Sequence, residues 1–130
     1  MPDAPHISLG ILGESLARRA LEREGYAIVA IRYRTPVGEI DIVARDGVCL
    51  VFVEVKTRRN HERGTPAEAV TSRKQRKVIA MATDYLARVK TDAAACRFDV
   101  VAVTAGDGEP VIEIIRNAFD ASEGNRGIGE

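Results

Sequence analysis

Residues 38–57 read GEIDIVARDGVCLVFVEVKT, and no other stretch of the chain constrains its architecture as strongly. Two runs of alternating apolar residues flank the dipeptide Asp46-Gly47, which is the strongest short-range signal for a β-hairpin. If this dipeptide forms a two-residue turn, Asp41 on the first strand faces Phe52 on the second. The stretch is therefore predicted to form two antiparallel strands joined by a tight turn.

Three ionisable residues, Asp41, Glu54 and Lys56, interrupt the apolar alternation of this hairpin. Because side chains alternate between the faces of a strand, all three are predicted to share one face. Asp41 and Glu54 become diagonal neighbours, roughly 7–8 Å apart at the backbone. Two like charges at that range are costly unless a cation lies between them, so a divalent metal or Lys56 is expected there. The opposite face is predicted to carry the apolar residues Ile40, Ile42, Val51, Val53 and Val55.

A divalent ion between the two carboxylates would support phosphoryl chemistry. Mg²⁺ prefers about six oxygen ligands and keeps several waters, which leaves room for a phosphate oxygen. The carbonyl of Val55 is a further candidate ligand, and Lys56 can orient a water or neutralise charge on the phosphate. Two alternatives stay open. Glu54 and Lys56 can form a simple salt bridge on a solvated sheet face, and Glu39 can replace Asp41 as the first acid.

The charge of the chain is unevenly distributed, although its formal net charge is zero. Between Glu54 and Lys77 there are eight Lys or Arg against three Glu, whereas residues 92–130 carry eight acidic residues against three Arg. A local basic patch attracts a polyanion even when the total charge is neutral. The central segment is therefore a candidate surface for nucleic acid, or alternatively an ordinary solvated helix start.

The remaining patterns predict an α-β-β-β-α-β-β order and an α/β fold with a mixed sheet. The first helix is expected from the cap Ser8 to Gly25, with Leu9, Leu12, Leu16, Ala20 and Gly13/Ala17 on one face. The second helix is expected from Pro66 or Thr71, with Val78, Ile79, Ala82, Leu86 and Val89 buried. Further strands are expected at 26–34, 97–104 and 111–116. Residues 1–119 are predicted to form one domain, followed by a flexible tail at 120–130.

The chain has no apolar run long enough to span a bilayer and no secretory signal at its start. We therefore expect a cytoplasmic protein without a membrane partner.

The pattern Asp41…Glu54-Val55-Lys56 resembles the PD-(D/E)XK nuclease superfamily, which has the restriction-endonuclease-like fold. More narrowly, five blocks resemble the YraN-type family of small bacterial proteins, over roughly residues 8–119. They are GESLARRALEREGY, RYRTPVGEIDIVARDG, LVFVEVKTR, AVTSRKQRK and RFDVVAV. That family is similar in turn to archaeal Holliday-junction resolvases, which are dimeric and cut branched DNA. The resemblance implies an α-β-β-β-α-β core with a central mixed sheet flanked by helices.

The resemblance also implies a role for individual residues. Asp41 and Glu54 correspond to ligands of Mg²⁺ or Mn²⁺, and Lys56 corresponds to the catalytic lysine. Glu14 corresponds to a helix glutamate that completes the site, and Gln75 corresponds to a helix glutamine that supports the metal or a phosphate. Arg32 stands where an asparagine is expected, so no role in the site is predicted for it.

The leading prediction is a metal-dependent endonuclease that hydrolyses phosphodiester bonds in branched DNA. The residues expected to bind the nucleic acid are Arg58, Arg59, Arg73, Lys74, Gln75 and Lys77. Symmetrical cutting of two strands would favour a homodimer. The main alternative is a non-catalytic adaptor on nucleic acid in repair, recombination or uptake. A third reading is a structural partner protein that dimerises through its sheet edge.

Overall fold

The computed structural model describes residues 9–59, 64 and 70–121. Two helices and five strands follow one another as α1 (Leu9–Arg23), β1 (Ala27–Arg34), β2 (Glu39–Asp46), β3 (Cys49–Arg59), α2 (Ser72–Arg88), β4 (Ala95–Ala105) and β5 (Val111–Phe119). The strands form one sheet in sequence order. The predicted order and the α/β class are confirmed, and the arrangement is consistent with a restriction-endonuclease-like core.

The sheet is mixed because α2 carries the chain across it between β3 and β4, which pair in parallel. The other neighbouring strands pair antiparallel. This topology makes β3 a central strand with a paired neighbour on each side. The residues near its C-terminal end therefore lie close to the start of α2, which is where the predicted site falls.

Each face of the sheet has its own apolar core. The α1 face is built on Ala17, Leu21, Ile42, Val53 and Val101, and the α2 face is built on Phe52, Val78, Met81, Tyr85 and Val100.

The helices bury slightly different stripes from those predicted. In α1 the predicted core residue Leu12 is 41% exposed, and in α2 the predicted core residue Leu86 is 39% exposed. Met81 and Tyr85 are buried instead, because the ring of Tyr85 packs edge-on against Phe52 beneath it. This aromatic contact thus determines which side of α2, about its own axis, faces the sheet.

The hairpin turn lies one residue later than predicted. Asp46 still belongs to β2 and pairs with Cys49, so the two central residues of the turn are Gly47 and Val48. Gly47 has a φ of +62°, which is the backbone that a type II′ turn requires at its first central position. The predicted Asp41–Phe52 pairing is therefore wrong by two residues, although a two-residue shift does not by itself change the face of a side chain.

A contact with Arg97 holds Asp46 in β2. Its carboxylate accepts a hydrogen bond of 2.8 Å from Arg97 on β4, and a move of Asp46 into the turn would break this hydrogen bond.

Ile40 lies on the face opposite to the predicted one. It packs with Met81 in the α2 core, whereas Ile42 packs with Leu21 in the α1 core. A regular strand would place residues 40 and 42 on the same face, so β2 departs from the regular alternation at Asp41. The site residue itself is thus the point at which the strand changes face.

The helix ends follow their local sequence. Gly25 has a φ of +92° directly after α1, as expected of a glycine that ends a helix. Thr71 caps α2, since its hydroxyl accepts a hydrogen bond of 3.3 Å from the amide of Lys74. The alternative start at Pro66, the predicted cap Ser8 and most of the predicted tail lie outside the described residues. None of the described helices is both long and apolar enough to cross a membrane.

The closest approach between α1 and the sheet occurs at Gly13. A Cβ atom added there would lie 2.1 Å from Oγ1 of Thr57 on β3. A Cβ atom added to Gly10, one turn earlier, would have no neighbouring atom within 4 Å. Gly13 therefore allows α1 to sit close to the C-terminal part of β3.

We expect Gly13→Ala to destabilise the fold by about 1–3 kcal/mol, because the overpacking outweighs the better helix propensity of alanine. The matched control Gly10→Ala should be neutral or mildly stabilising. Thr57→Ala should restore part of the stability when it is combined with Gly13→Ala. Urea unfolding of the four proteins measures these differences, and equal effects of the two glycine substitutions would contradict the close packing.

Candidate functional site

The site begins where β2 and β3 stop pairing. The ladder between these strands ends with the pair Ile42–Val53, so Asp41 and Glu54 are the next residues on the two strands. Oδ2 of Asp41 accepts a hydrogen bond of 2.8 Å from the amide of Val55. A side chain thus takes the place of the main-chain acceptor that a continued strand would have provided.

This hydrogen bond also orients the carbonyl of Val55. In an extended strand the N–H and C=O of one residue point to the same side. Since the amide of Val55 points at Asp41, its carbonyl points to the same open edge. Asp41 and Glu54, from here on called the acid pair, and the Val55 carbonyl therefore converge on one place.

The acid pair lies in a cavity of about 440 Å³ between α1, β1 and the sheet. The cavity is lined by Gly10, Ile11, Glu14, Arg32, Asp41, Glu54, Val55, Lys56 and Thr57. The predicted catalytic residues are thus gathered in one cavity. Glu39, the alternative first acid, does not line this cavity and instead forms an ion pair of 3.5 Å with Arg34.

The ionised form of Glu54 is energetically unfavourable. It is only 8% exposed, and burial together with the charge of Asp41 raises its pKa to about 7. The Nζ of Lys74 lies 3.2 Å from its Oε1, and this ammonium lowers the pKa without offsetting the burial. Among the described residues the ion-pair partner of Glu54 is therefore Lys74 on α2, and the alternative Glu54–Lys56 salt bridge is not formed.

Asp41 experiences the same opposing effects. Burial raises its pKa, while the hydrogen bond from Val55 and the charge of Lys74 lower it. The charges of Glu14 and Glu39 raise it further. A nearby cation therefore stabilises the ionised form of the acid pair, and Lys74 offsets the effect of burial only in part.

A third buried acid shows what a purely structural carboxylate looks like in this protein. Asp99 on β4 is fully buried and accepts hydrogen bonds from the Tyr26 hydroxyl (2.7 Å), the Arg97 guanidinium (2.9 Å) and the Asn117 amide (2.9 Å). Burial and this carboxylate raise the pKa of Tyr26 to about 12. Both oxygens of Asp99 are thus satisfied by protein donors, whereas in the described part of the chain no donor is bonded to Oδ1 of Asp41.

Glu14 on α1 and Arg32 on β1 both line the cavity. The Nε of Arg32 lies 2.9 and 3.2 Å from the two carboxylate oxygens of Glu14. Sequence reasoning predicted no role for Arg32, because it stands where the family resemblance leads to an asparagine. Its place in the cavity becomes visible only when α1 packs against β1.

The donor set fits a Mg²⁺ site with two carboxylates rather than three. Across residues 9–59, 64 and 70–121, no three His, Cys, Asp or Glu side chains lie close enough together to hold a metal. Mg²⁺ is often bound by one or two carboxylates, with waters and substrate phosphates completing its octahedron. The acid pair and the Val55 carbonyl meet that requirement, and the unsatisfied Oδ1 of Asp41 is an available ligand.

The residues predicted to bind nucleic acid occupy different places. Arg73 and Lys77 are exposed on the first turns of α2, and Arg59 is exposed at the end of β3. Arg58 donates a hydrogen bond of 2.6 Å to the carbonyl of Gly64, and the Gln75 side chain donates one of 3.1 Å to the carbonyl of Val70. Of the predicted set, only Lys74 reaches the acid pair. The roles of the others stay predictions.

The raised pKa of Glu54 predicts a pH-dependent stability in the presence of a metal chelator. The ordinary pKa of 4.5 rises to about 7 in the folded protein, so the fold binds this proton more tightly than the unfolded chain does. The fold should therefore become more stable as the pH falls from 8 to 5. Glu54→Gln should stabilise the protein at pH 8 by at most about 3 kcal/mol, and this gain should vanish near pH 5.

Urea unfolding at pH 8 and pH 5 tests this expectation. Glu39→Gln is the matched control, because Glu39 is largely exposed and should show no such pH-dependent gain. A Glu54→Gln protein that is less stable than the wild type at pH 8 would show that the Lys74 pair dominates over burial.

Comparison with known proteins gives a consistent result over most of the chain. The sequence profile of Uncharacterised protein family UPF0102 matches residues 13–103. The chain is 50% identical to the UPF0102 protein of Desulfosudis oleivorans over 113 residues, which cover 87% of this chain and 90% of that protein. It is 50% identical to a UPF0102 protein of Symbiobacterium thermophilum over 114 residues, which cover 87% of this chain and 97% of that protein. It is 46% identical to one of Rhodococcus opacus over 117 residues, covering 89% and 99%. The chain therefore belongs to the UPF0102 family, which is the YraN-type family that its sequence blocks predicted.

Proposed function

We propose that this protein is a metal-dependent endonuclease of the PD-(D/E)XK type, with Mg²⁺ or Mn²⁺ as its cofactor. The observation that carries the proposal is the acid pair. Two carboxylates are held at a strand break where burial raises the pKa of both, and no described residue donates a hydrogen bond to Oδ1 of Asp41. Desolvated acids of this kind are costly, and clefts that concentrate them are typical of catalytic sites.

Each residue of the site has a distinct task in this function. Asp41, Glu54 and the Val55 carbonyl would hold the ion, which when bound polarises a phosphate and acidifies water. The Val55 amide fixes the Asp41 carboxylate, so that its free oxygen needs no reorganisation when a ligand arrives. Lys56 lines the same cavity and is exposed, so its ammonium can reach a phosphate oxygen or the attacking water.

The substrate class follows from charge and from the family resemblance. Arg73 and Lys77 are exposed on the first turns of α2, the same turns from which Lys74 reaches the acid pair, so they can contact the phosphates that flank the cleavage position. The resemblance to Holliday-junction resolvases favours branched DNA. Symmetrical cleavage of two strands would require two copies of the site, so we propose a homodimer acting in the cytoplasm.

The central prediction is metal-dependent cleavage. A synthetic four-way DNA junction should be cut in Mg²⁺ or Mn²⁺ and should stay intact in a chelator. Asp41→Asn, Glu54→Gln and Lys56→Ala should each lower the cleavage rate by at least about 100-fold, because the first two remove a group that would hold the ion and the third removes the ammonium that would act on the phosphate or the attacking water. The measurement is single-turnover cleavage of end-labelled junctions, flaps, single strands and plain duplex.

Glu39→Gln is the matched control, since Glu39 is an acid on the same strand that lies outside the cavity. It should cleave like the wild type. Absence of cleavage on all four substrates, with folded protein and either metal, would refute the nuclease.

One observation favours a second candidate, a nucleic-acid-binding adaptor without catalytic activity. Lys74 already places an ammonium 3.2 Å from Glu54, so part of the negative charge is neutralised without any metal. A protein that uses its acid pair in this way needs no metal ion for stability. It would shift DNA in gels equally well with metal and with chelator, and would leave the DNA uncut.

Both candidates predict that the start of α2 binds DNA in a salt-dependent way. Replacing Arg73 and Lys77 by glutamine should weaken DNA binding. It should also reduce the slope of log affinity against log salt by roughly 2, because each cation that no longer neutralises a phosphate lowers the slope by about one. The control pair Arg88→Gln and Lys90→Gln, at the other end of α2, should change the slope little. Fluorescence anisotropy at several salt concentrations gives the slope, and equal slopes for both double variants would place the DNA elsewhere.

A further inference from the structure

Arg32 has a strained backbone in the middle of a strand. Its φ is +49°, in the left-handed region, although β1 pairs with β2 on both sides of it through Ile31–Ile42 and Tyr33–Ile40. A residue with a long side chain is energetically unfavourable in this backbone conformation. Asparagine or glycine would adopt this backbone more easily. Strain of this kind is concentrated at functional sites, where it orients a side chain.

The strained backbone directs the guanidinium into the mouth of the cavity. The Arg32 side chain is 50% exposed, whereas the Glu14 side chain to which it binds is only 15% exposed. Both hydrogen bonds to Glu14 use Nε, and no described residue is bonded to the two terminal nitrogens of Arg32. Arg32 thus covers Glu14 and presents its remaining donors toward solvent.

The ion pair between Arg32 and Glu14 is easy to exchange. A half-exposed pair of this type contributes little to stability, and a phosphate offers guanidinium the same two-oxygen geometry as a carboxylate. Arg32 can therefore exchange its ion pair with Glu14 for one with a phosphate of a nucleic acid that enters the cavity. Glu14 would then be left uncovered within the same cavity as the acid pair.

We propose that Arg32 is a phosphate-operated latch on the metal site. In the free protein its guanidinium holds Glu14, and on nucleic-acid binding it moves to a backbone phosphate, so that Glu14 joins the acid pair as a third carboxylate ligand. The proposal rests on the proposed metal-dependent function and adds a positioning residue to it. It accounts for the absence of a three-carboxylate cluster among the described residues, because in this state Glu14 is engaged with Arg32.

The latch couples metal binding to nucleic-acid binding. If DNA releases Glu14 to the metal, DNA must raise the affinity for the metal, and the metal must raise the affinity for DNA by the same factor. A coupling factor of about tenfold is typical of such linked sites. Arg32→Asn should bind metal more tightly than the parent protein in the absence of DNA, since Glu14 is already free. It should then show a smaller further gain than its parent when DNA is added.

The experiment measures Mn²⁺ binding by electron paramagnetic resonance, with and without a synthetic four-way DNA junction. Lys56→Ala serves as the parent protein, so that the DNA stays intact. Arg32→Asn, Glu14→Gln and their combination are introduced into it. Asparagine removes the guanidinium and suits the left-handed backbone, so the variant should melt at or above the temperature of its parent. Arg34→Asn is the matched control, because Arg34 lies on the same strand with its side chain 90% exposed.

The expected result is tighter Mn²⁺ binding with DNA in the parent and in Arg34→Asn, and a clearly smaller coupling factor in Arg32→Asn and in Glu14→Gln, where only the contact between a DNA phosphate and the ion still couples the two. The combined variant should behave like Glu14→Gln, because Arg32 acts through Glu14. Mn²⁺ binding that is unaffected by DNA in the parent, or full coupling in Arg32→Asn, would overturn the latch alone. No Mn²⁺ binding under any condition would overturn the proposed metal-dependent function, and the latch with it.

Discussion

The hydrogen bond from the Val55 amide to the Asp41 carboxylate is the interaction on which the site is built. It replaces the strand pairing that ends one residue earlier, at Ile42–Val53. Without it, the two strands would separate with an unsatisfied amide in a largely buried position, which costs about 1–3 kcal/mol. The same hydrogen bond fixes one carboxylate oxygen and leaves the other available. Strand divergence, satisfaction of the backbone and preparation of a ligand are thus achieved by one side chain.

The cavity is organised around a surplus of negative charge. Burial raises the pKa of both members of the acid pair, and the two cations that form ion pairs with carboxylates of the cavity come from different parts of the fold. Lys74 reaches Glu54 from the start of α2, and Arg32 reaches Glu14 from the edge strand β1. Both cations are more exposed than the carboxylates that they bind. In the proposed function, a polyanion that approaches from solvent would meet these cations before the carboxylates.

The hairpin shows which parts of a site can be predicted from local pattern. Alternation in residues 38–57 correctly placed Asp41, Glu54 and Lys56 around one cavity, because a register error of two residues does not change the face of a side chain. The turn itself was misplaced, because the Asp46 carboxylate is held by Arg97 on a strand that follows about fifty residues later. The face of Ile40 was also wrong, since the strand changes face at Asp41.

The chain's own pattern of apolar and ionisable residues was enough to specify the order of helices and strands and the α/β class, and it placed Asp41 and Glu54 on one face while leaving Glu39 as an alternative to Asp41. These properties depend on neighbours a few positions apart, and periodicity records such neighbours directly. The counter-ion of Glu54, the pairing of Glu14 with Arg32 and the rotation of α2 depend on which elements pack together. Lys74 is twenty positions away from Glu54, and Arg32 is eighteen away from Glu14, so no local pattern marks either ion pair. These ion pairs form only when both helices pack against the sheet, because packing brings each carboxylate next to its cation and removes part of the water around it.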